Sequence, residues 1–248
     1  MSNGFRLVTR CDSWANKGEL PLGYQHRVNG TAVNLPIGKA VCVGRNYAAH
    51  ARELNNPIPT EPVLFIKPNT AVVNLSERLE VPDHLGDCHF EAEISILIGQ
   101  TIKAGCDQQQ AQAAIAGVGL ALDLTLRDLQ QQLKDNGLPW EKAKAFDGAC
   151  PVSDFVSLDK VDDLQQLHIQ LIQNNHLQQD GSSADMLTPV LSLLVYISEF
   201  FTLMPGDLVL TGTPSGVGPL AIGDQLELVL SDHIRCQTRV CTRSRAFI

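Results

Sequence analysis

The sequence predicts a strand-rich α+β fold. Short apolar segments of strand length outnumber the segments with helical spacing, and the two kinds do not alternate as a doubly wound parallel sheet requires. The chain has 248 residues, of which 44% are apolar and 19% are charged, which is an ordinary globular composition. That length is enough to bury a sizeable core in one large domain.

The first 54 residues are predicted to contain an arm and a short helix. Residues 1–38 look like short strands and turns, with Asn29-Gly30 as a hairpin turn. An apolar strand at 41–44 leads into a helix-compatible run at 46–54, which we interpret as a mobile lid. Pro57 and Pro59 prevent this helix from continuing.

The rest of the chain alternates between strand signals and fewer helix signals. Thr188 as a cap and Pro189 in the first turn indicate the start of an apolar helix. Asn174-Asn175 lies inside an alternating segment, 167–179, which suggests a hairpin. The other predicted strands are 63–66, 89–98, 118–122, 208–211, 225–230 and 234–241, and the predicted helices are 108–114, 124–134 and 188–201.

Charge and hydropathy argue against a nucleic-acid-binding, a membrane-spanning and a secreted protein. The net charge is −8 and basic residues do not cluster, which argues against a nucleic-acid partner. The most apolar stretch, 190–204, is too short for a membrane span and contains Glu199, so a buried helix is predicted. Residues 1–14 lack the apolar segment of a secretory signal, and the seven cysteines contain no Cys-x-x-Cys pair. We therefore expect a cytoplasmic protein with reduced thiols.

The segment 89–96 carries the first candidate metal ligands. In a strand, Glu91 and Glu93 share one face, with His89 and Ser95 beside them, while the other face is apolar. Two neighbouring carboxylates repel each other unless a cation lies between them, and oxygen ligands suit Mg²⁺ or Mn²⁺. An exposed polar strand face explains the spacing equally well, and His89 is either a third ligand or a hydrogen-bonded neighbour.

Other candidates are scattered along the chain. Asp123 stands between an apolar strand and a helix, where it either points into a cleft or caps the helix. His50 and Glu53 are three residues apart, a spacing that lets a carboxylate orient an imidazole as a general base. Lys142 and Lys144 lie among aromatic and small residues, where a lysine either adds positive charge to an oxyanion or lies at the surface. The Gly/Pro-rich run at 211–219 offers backbone N–H groups but lacks the lysine of a phosphate-binding loop.

Taken together, five motifs in order resemble the fumarylacetoacetate hydrolase family, and within it the small acylpyruvase or oxaloacetate tautomerase-like members. The resemblance implies a mixed β-roll that forms a homodimer, with residues 39–248 as the catalytic domain and 1–38 as an arm packed on it. The motifs are Gly44-Arg45-Asn46-Tyr47, His-x-Glu-x-Glu at 89–93, Leu122-Asp123-Leu124-Thr125-x-Arg127-Asp128, Pro139-Trp140 to Phe146, and Leu210-Thr211-Gly212-Thr213-Pro214 to Pro219.

The resemblance also implies a role for individual residues. Three carboxylates match the family's ligands for Mg²⁺ or Mn²⁺, and Lys144 matches its active-site lysine. His50 and Glu53 match a lid pair that activates water. The metal ligands are Glu91, Glu93 and Asp123, and the implied substrate-binding residues are Arg45, Arg127, Gln130 and Thr213.

Several activities fit such a site, because hydrolysis, decarboxylation and tautomerisation of small 2-oxo acids all pass through an enolate. The lid pair favours acylpyruvate hydrolysis at a C–C bond, with oxaloacetate decarboxylation as an accompanying activity. The alternative is an oxaloacetate keto–enol tautomerase or a 2-hydroxyhepta-2,4-diene-1,7-dioate-type isomerase. A non-catalytic oxo-acid or metal-binding protein would not need the lid pair, and a metal-free serine or cysteine hydrolase lacks a nucleophile motif.

Overall fold

A computed structural model of the chain describes residues 24–75 and 78–243. Within these residues, strands outnumber α-helices by 17 to five. The α-helices are α1 Ala48–Glu53, α2 Gln108–Ala113, α3 Arg127–Asp135, α4 Glu141–Lys144 and α5 Val190–Ser198. The strands are β1 Arg27–Val28, β2 Thr31–Ala32, β3 Ala40–Gly44, β4 Val63–Lys67, β5 Val72–Asn74, β6 Leu79–Val81, β7 Cys88–Phe90, β8 Ala92–Ile98, β9 Ile115–Leu122, β10 Thr125–Leu126, β11 Cys150–Val152, β12 His168–Gln173, β13 His176–Ser182, β14 Leu208–Leu210, β15 Gly218–Pro219, β16 Gln225–Leu230 and β17 Ile234–Thr242.

The largest sheet has seven strands in the order β4-β3-β14-β8-β9-β11-β5. It is mixed, because β3 runs parallel to β14 and β5 runs parallel to β11, while the other neighbours are antiparallel. A second sheet has the order β13-β12-β16-β17-β6, and smaller sheets join β10-β7-β15 and β1-β2. The predicted strand-rich α+β fold, a mixed β-roll, is confirmed.

The centre of the large sheet is buried on both faces. All seven residues of β8 are buried, so the alternative of an exposed polar face on this strand is wrong. Ser95 is fully buried, and Glu93 is 1% exposed. A central strand covered on both sides must bury its polar residues as well, and each of them then needs a partner.

Element boundaries differ from the predicted ones where polar groups interrupt the pattern. The strand predicted at 89–98 breaks at Glu91 into β7 and β8. The helix predicted at 124–134 begins at Arg127, because Thr125 and Leu126 pair with β7 instead. The helix predicted at 188–201 begins at Val190 and ends at Ser198.

Two predicted hairpins are confirmed by left-handed backbone at their turns. Asn29 and Gly30 have φ of 51° and 76°, and Asn174 and Asn175 have φ of 51° and 66°. Asparagine and glycine tolerate this conformation better than other residues do. The first hairpin is held by backbone hydrogen bonds to Phe155, while residues 1–23 of the predicted arm lie outside the described residues.

The described thiols are free, and most of them are buried. Burial raises the pKa of Cys88 and of Cys150 to about 12, which keeps both thiols protonated at neutral pH. Cys11 lies outside the described residues. Of the described helices, none has the length and apolar character that a membrane crossing requires.

Candidate active site

Strand pairing brings three distant segments to one end of the large sheet. Ala92, the first residue of β8, pairs with Leu122, the last residue of the antiparallel β9. Glu91, just before β8, therefore lies beside Asp123, just after β9, and the Asp123 N–H donates to the Glu91 carbonyl at 2.8 Å. On the other side of β8, Leu210 pairs with Ser95, which brings the loop after β14 alongside Glu93. The register of the sheet therefore positions the candidate site.

Three carboxylates converge at this end of the sheet. Glu91, Glu93 and Asp123 each offer an oxygen, and these oxygens lie within 4.8 Å of one another. The three residues are 5%, 1% and 1% exposed. Asp123 follows β9 and is not the cap of α3, since Leu126 occupies that position. The reading of Asp123 as a helix cap is therefore wrong.

Three cations surround two of these carboxylates. The Lys144 ammonium donates to Glu91 Oε2 at 2.9 Å, to Asp123 Oδ2 at 2.7 Å and to Thr125 Oγ1 at 2.7 Å. Arg127 donates from Nη2 to Glu91 Oε1. With all three N–H groups of Lys144 engaged, this side chain contributes positive charge to the site and has no further proton to share.

Lys67 is the third cation, and it is fully buried at the end of β4. Its ammonium donates to the carbonyls of Ala149 at 3.0 Å, Leu124 at 3.3 Å and Lys144. It also lies 2.8 Å from Asp123 Oδ1. Because its three N–H groups point at carbonyls, this contact is an ion pair without a hydrogen bond. Asp123 Oδ1 is thus a buried acceptor with no hydrogen-bond donor among the described residues.

The two glutamates have opposite electrostatic environments. Burial alone would raise the pKa of Glu91, but the charges of Lys144 and Arg127 outweigh it and hold this pKa well below its usual range. Burial and the negative charges of Asp123 and Glu91 raise the pKa of Glu93 well above its usual range. The Gly212 N–H donates to Glu93 Oε2 at 2.6 Å, and none of the described cations pairs with Glu93.

This donor set fits a hard divalent cation. All candidate ligands are carboxylate oxygens, which Mg²⁺ and Mn²⁺ prefer over nitrogen or sulfur. Glu93 lacks a cation partner within the described residues, and Asp123 Oδ1 lacks a hydrogen-bond donor. A divalent cation would give positive charge to both the Glu93 carboxylate and Asp123 Oδ1. It would also relieve the repulsion between carboxylates that helps to keep the pKa of Glu93 high.

The carboxylates line a pocket that opens to solvent. The predicted site residues meet there, with the exception of Glu53, which reaches the pocket through His50. His50 Nδ1 lies 3.4 Å from Glu53 Oε2, and Glu53 Oε1 accepts from the Gly216 N–H at 2.9 Å. The pocket is lined by Val43, Gly44, Arg45, His50, Leu54, Asn56, Val63, Phe65, Glu91, Glu93, Asp123, Arg127, Gln130, Lys134, Trp140, Lys144 and Thr213.

Arg127 and Gln130 line the pocket as predicted, but they contact each other. Arg127 Nη1 donates to Gln130 Oε1 at 2.9 Å, while Nη2 contacts Glu91. The buried Nε–H of Arg127 has no acceptor among the described residues. The predicted contact of Arg127 and Gln130 with a substrate carboxylate stays a prediction, made at a position where both residues line the pocket.

Thr213 is held by a buried glutamine that the sequence analysis missed. Gln179 on β13 donates to Thr213 Oγ1 at 2.7 Å and accepts from the Ala92 N–H at 2.9 Å. Thr213 Oγ1 in turn donates to the Ala92 carbonyl at 2.8 Å. The hydroxyl proton of Thr213 therefore stays within the protein. A lone glutamine in an alternating strand gives no sequence signal of this role.

Other residues important to the site also escaped the sequence analysis. Lys67 lies just after the strand predicted at 63–66 and Lys134 at the end of the helix predicted at 124–134, and neither was proposed as a site residue. Asn46, part of a motif, joins three segments: its Nδ2 donates to the carbonyls of Thr188 and Thr211. Only the apolar run before Lys67 could have suggested that this lysine is buried.

His89 does not join the carboxylate cluster. It lies on β7, where it pairs with Thr125 and Pro219, and it does not line the pocket. Burial and the charge of Arg127 lower its pKa. The suggestion that His89 is a third ligand is not supported, and the third carboxylate of the cluster is Asp123.

We expect Lys67→Met to destabilise the fold by about 3–5 kcal/mol, because it leaves the buried Asp123 carboxylate without one of its partners and three carbonyls without a donor. The free energy of unfolding from denaturant titration measures this loss. Arg235→Met is the control, since Arg235 pairs with Glu227 at the exposed surface and should cost at most about 1 kcal/mol. Equal effects of the two substitutions would contradict the assignment.

Comparison with known proteins places this site in a family. The family described as "Fumarylacetoacetate (FAA) hydrolase C-terminal" matches residues 39–241. The chain is 47% identical over 212 residues to oxaloacetate tautomerase YcgM of Escherichia coli K12, covering 85% of this chain and 96% of that protein. It is 40% identical over 187 residues to the human mitochondrial oxaloacetate tautomerase FAHD1, covering 75% of this chain and 84% of that protein.

A solved structure agrees with these relatives. The fold matches that of fumarylpyruvate hydrolase from Pseudomonas aeruginosa in complex with Mn²⁺ and pyruvate. The TM-score is 0.83 at 32% identity, and the match covers 92% of this chain and all of that one. On the matched residues, the fold and the carboxylate cluster, the chain belongs to the fumarylacetoacetate hydrolase family.

Proposed function

We propose that the chain interconverts the keto and enol forms of oxaloacetate with the help of a divalent cation. The observation that carries the proposal is that three buried carboxylates line one pocket together with His50, whose imidazole faces Glu53 outside the pocket. The relatives with 40–47% identity are named oxaloacetate tautomerases, which favours the alternative of the sequence analysis over acylpyruvate hydrolysis.

The proposed metal ligands are Glu91, Glu93 and Asp123, and the proposed ion is Mg²⁺ or Mn²⁺. When bound, such an ion withdraws electron density from the carboxylate and 2-oxo oxygens of an oxo acid. The manganese and pyruvate bound together by the fumarylpyruvate hydrolase support this choice. Lys144 adds positive charge beside the same oxygens, and Arg127 with Gln130 orients the carboxylate of the substrate.

His50 is the proposed base. With Nδ1 facing Glu53, the tautomer that carries its proton on Nδ1 is favoured, which leaves the Nε2 lone pair to accept a proton. His50 takes the proton from C3 of the keto acid and returns it to the 2-oxo oxygen. One proton moves, one C–H bond breaks, one O–H bond forms, and no water is consumed. In the reverse direction the same imidazole carries the proton back to carbon.

Acylpyruvate hydrolysis is the second candidate, favoured by the likeness to a fumarylpyruvate hydrolase. In that reaction His50 would take a proton from water, and the hydroxide formed would attack the distal carbonyl. The pyruvate enolate released would carry the same charge beside Lys144 and Arg127. Both activities therefore need the same residues and differ in whether water reaches His50 in the loaded pocket.

A direct comparison of substrates tests the proposal. With Mg²⁺ present, we expect the enzyme to accelerate the disappearance of enol-oxaloacetate well beyond the spontaneous rate, with a kcat/KM higher than that for acetylpyruvate or fumarylpyruvate cleavage. A chelator should abolish the activity, and added Mg²⁺ should restore it. Faster release of pyruvate from an acylpyruvate would overturn the assignment in favour of the hydrolase.

The proposal extends to the setting of the enzyme. A homodimer and a cytoplasmic location stay predictions. The Escherichia coli relative is consistent with a cytoplasmic location, whereas the human relative is named as mitochondrial. The arm at 1–38 and the catalytic domain at 39–248 likewise stay predictions. No nucleic-acid partner is proposed, because the net charge is −8.

A further inference from the structure

Two positive side chains in the pocket have no acidic partner. Arg45 and Lys134 both line the pocket, and neither side chain makes an ion pair with any of the described residues. By contrast, the pocket cations Arg127 and Lys144 are each bound to a carboxylate. The pocket thus has a neutralised end at the carboxylates and a second end with uncompensated positive charge.

The protein holds Lys134 and Arg45 in place at the second end of the pocket. The Lys134 ammonium lies 5.2 Å from the centroid of the Trp140 ring, and Trp140 packs edge-on against Phe65. Arg45 follows the last residue of β3 with a left-handed φ of 61°, which is unfavourable for an arginine unless the fold requires it. Burial and the positive charges of Arg45 and Arg127 lower the pKa of Lys134, so these cations repel one another.

Helix α3 sets the distance between the two ends. Arg127, Gln130 and Lys134 have the spacing i, i+3, i+7, so all three lie on the pocket face of the helix. Seven residues of α-helix span roughly 10 Å, and a lysine side chain leans back towards the helix N-terminus. A small molecule held at Glu91 can therefore reach Lys134 with its far end.

We infer that Arg45 and Lys134 bind a second carboxylate, so that the site selects dicarboxylic over monocarboxylic 2-oxo acids. This inference rests on the proposed function, because it assigns the near carboxylate of the substrate to the metal end. Two cations without acidic partners gain an anionic partner when a dianion binds, and a monoanion held at the metal end leaves them unpaired. Oxaloacetate is the smallest acid of this class that can form an enol, because it has a C–H bond beside its oxo group.

The test compares two dianions that differ in how far they reach into the pocket. The two carboxylates of oxalate are directly bonded and both fit at the metal end, whereas oxaloacetate carries its second carboxylate two carbons further along, at the far end. For Lys134→Gln and Arg45→Gln we expect the KM for oxaloacetate to rise about 10- to 100-fold, as for the loss of a charged hydrogen bond. The inhibition constant of oxalate should stay within about twofold, because the metal end is untouched.

Matched controls are available on neighbouring exposed cations. Lys142→Gln and Arg52→Gln remove the same charges outside the pocket and should change neither constant. Equal weakening of oxalate and oxaloacetate in the Lys134 variant, or an unchanged KM, would overturn the inference. If the wild-type enzyme does not turn over oxaloacetate at all, the proposed function fails instead, and calorimetric titration of the two ligands still decides whether the pair binds a second carboxylate.

Discussion

Glu93→Gln should abolish metal binding while leaving the fold without metal intact. The amide keeps an oxygen that accepts from the Gly212 N–H, and it removes a negative charge that burial, Asp123 and Glu91 all disfavour. Without metal, the variant should be at least as stable as the wild type. Activity with Mg²⁺ should fall by about 10²-fold or more, because several kcal/mol of charge stabilisation are lost.

Thermal unfolding with and without Mg²⁺ measures both parts of this expectation. Mg²⁺ should raise the Tm of the wild type and leave the Tm of Glu93→Gln unchanged. Glu91→Gln provides the contrast, because it leaves Lys144 and Arg127 short of a carboxylate and should lower the stability even without metal. A Glu93→Gln enzyme that keeps the metal-dependent rise in Tm would remove Glu93 from the ligand set.

His50→Ala should lower kcat by about 10²- to 10⁴-fold, the range for loss of a general base. Metal binding should persist, because His50 is not part of the carboxylate cluster. The exchange of the C3 protons of oxaloacetate with D₂O, followed by NMR, reports the proton transfer directly. This exchange should fall in parallel with kcat.

Two further variants make the result specific. Glu53→Gln loses the charge and keeps a single oxygen, which can accept from the imidazole or from the Gly216 N–H but not from both. Because the imidazole itself remains, the effect on kcat should be smaller than that of His50→Ala. His176→Ala changes an exposed histidine on β13 and should have no effect. Undiminished exchange in His50→Ala would mean that another group moves the proton.

The positions of the strands could be predicted from the sequence better than the burial of their two faces. The strands at 63–66, 225–230 and 234–241 were found within a residue or so, because apolar alternation and turn residues mark them locally. The two-sided burial of β8 was not predicted, since it depends on β12 and on the neighbours of β8 in the sheet. Such coverage is a property of the tertiary fold, and the alternation of apolar and polar residues along a single strand does not reveal it.

Residues of the candidate site were found where a motif contains them. Glu91, Glu93 and Asp123 stood out because carboxylates are unusual beside buried strands. Lys67 and Gln179 were missed because their partners are backbone groups and a hydroxyl far along the chain. Contacts of this kind depend on sheet register, which the residues themselves do not reveal.

The two oxygens of Glu53 contact parts of the chain that are far apart in sequence. One oxygen faces His50 within α1, and the other holds Gly216, where an added Cβ would lie 1.9 Å from the Gln178 carbonyl. Helix α1 and the loop at Gly216 are therefore coupled through Glu53, and one cannot be replaced without the other. A chimera that receives α1 from a relative must also receive that relative's loop. Otherwise the glutamate that orients the imidazole loses its backbone partner in the loop.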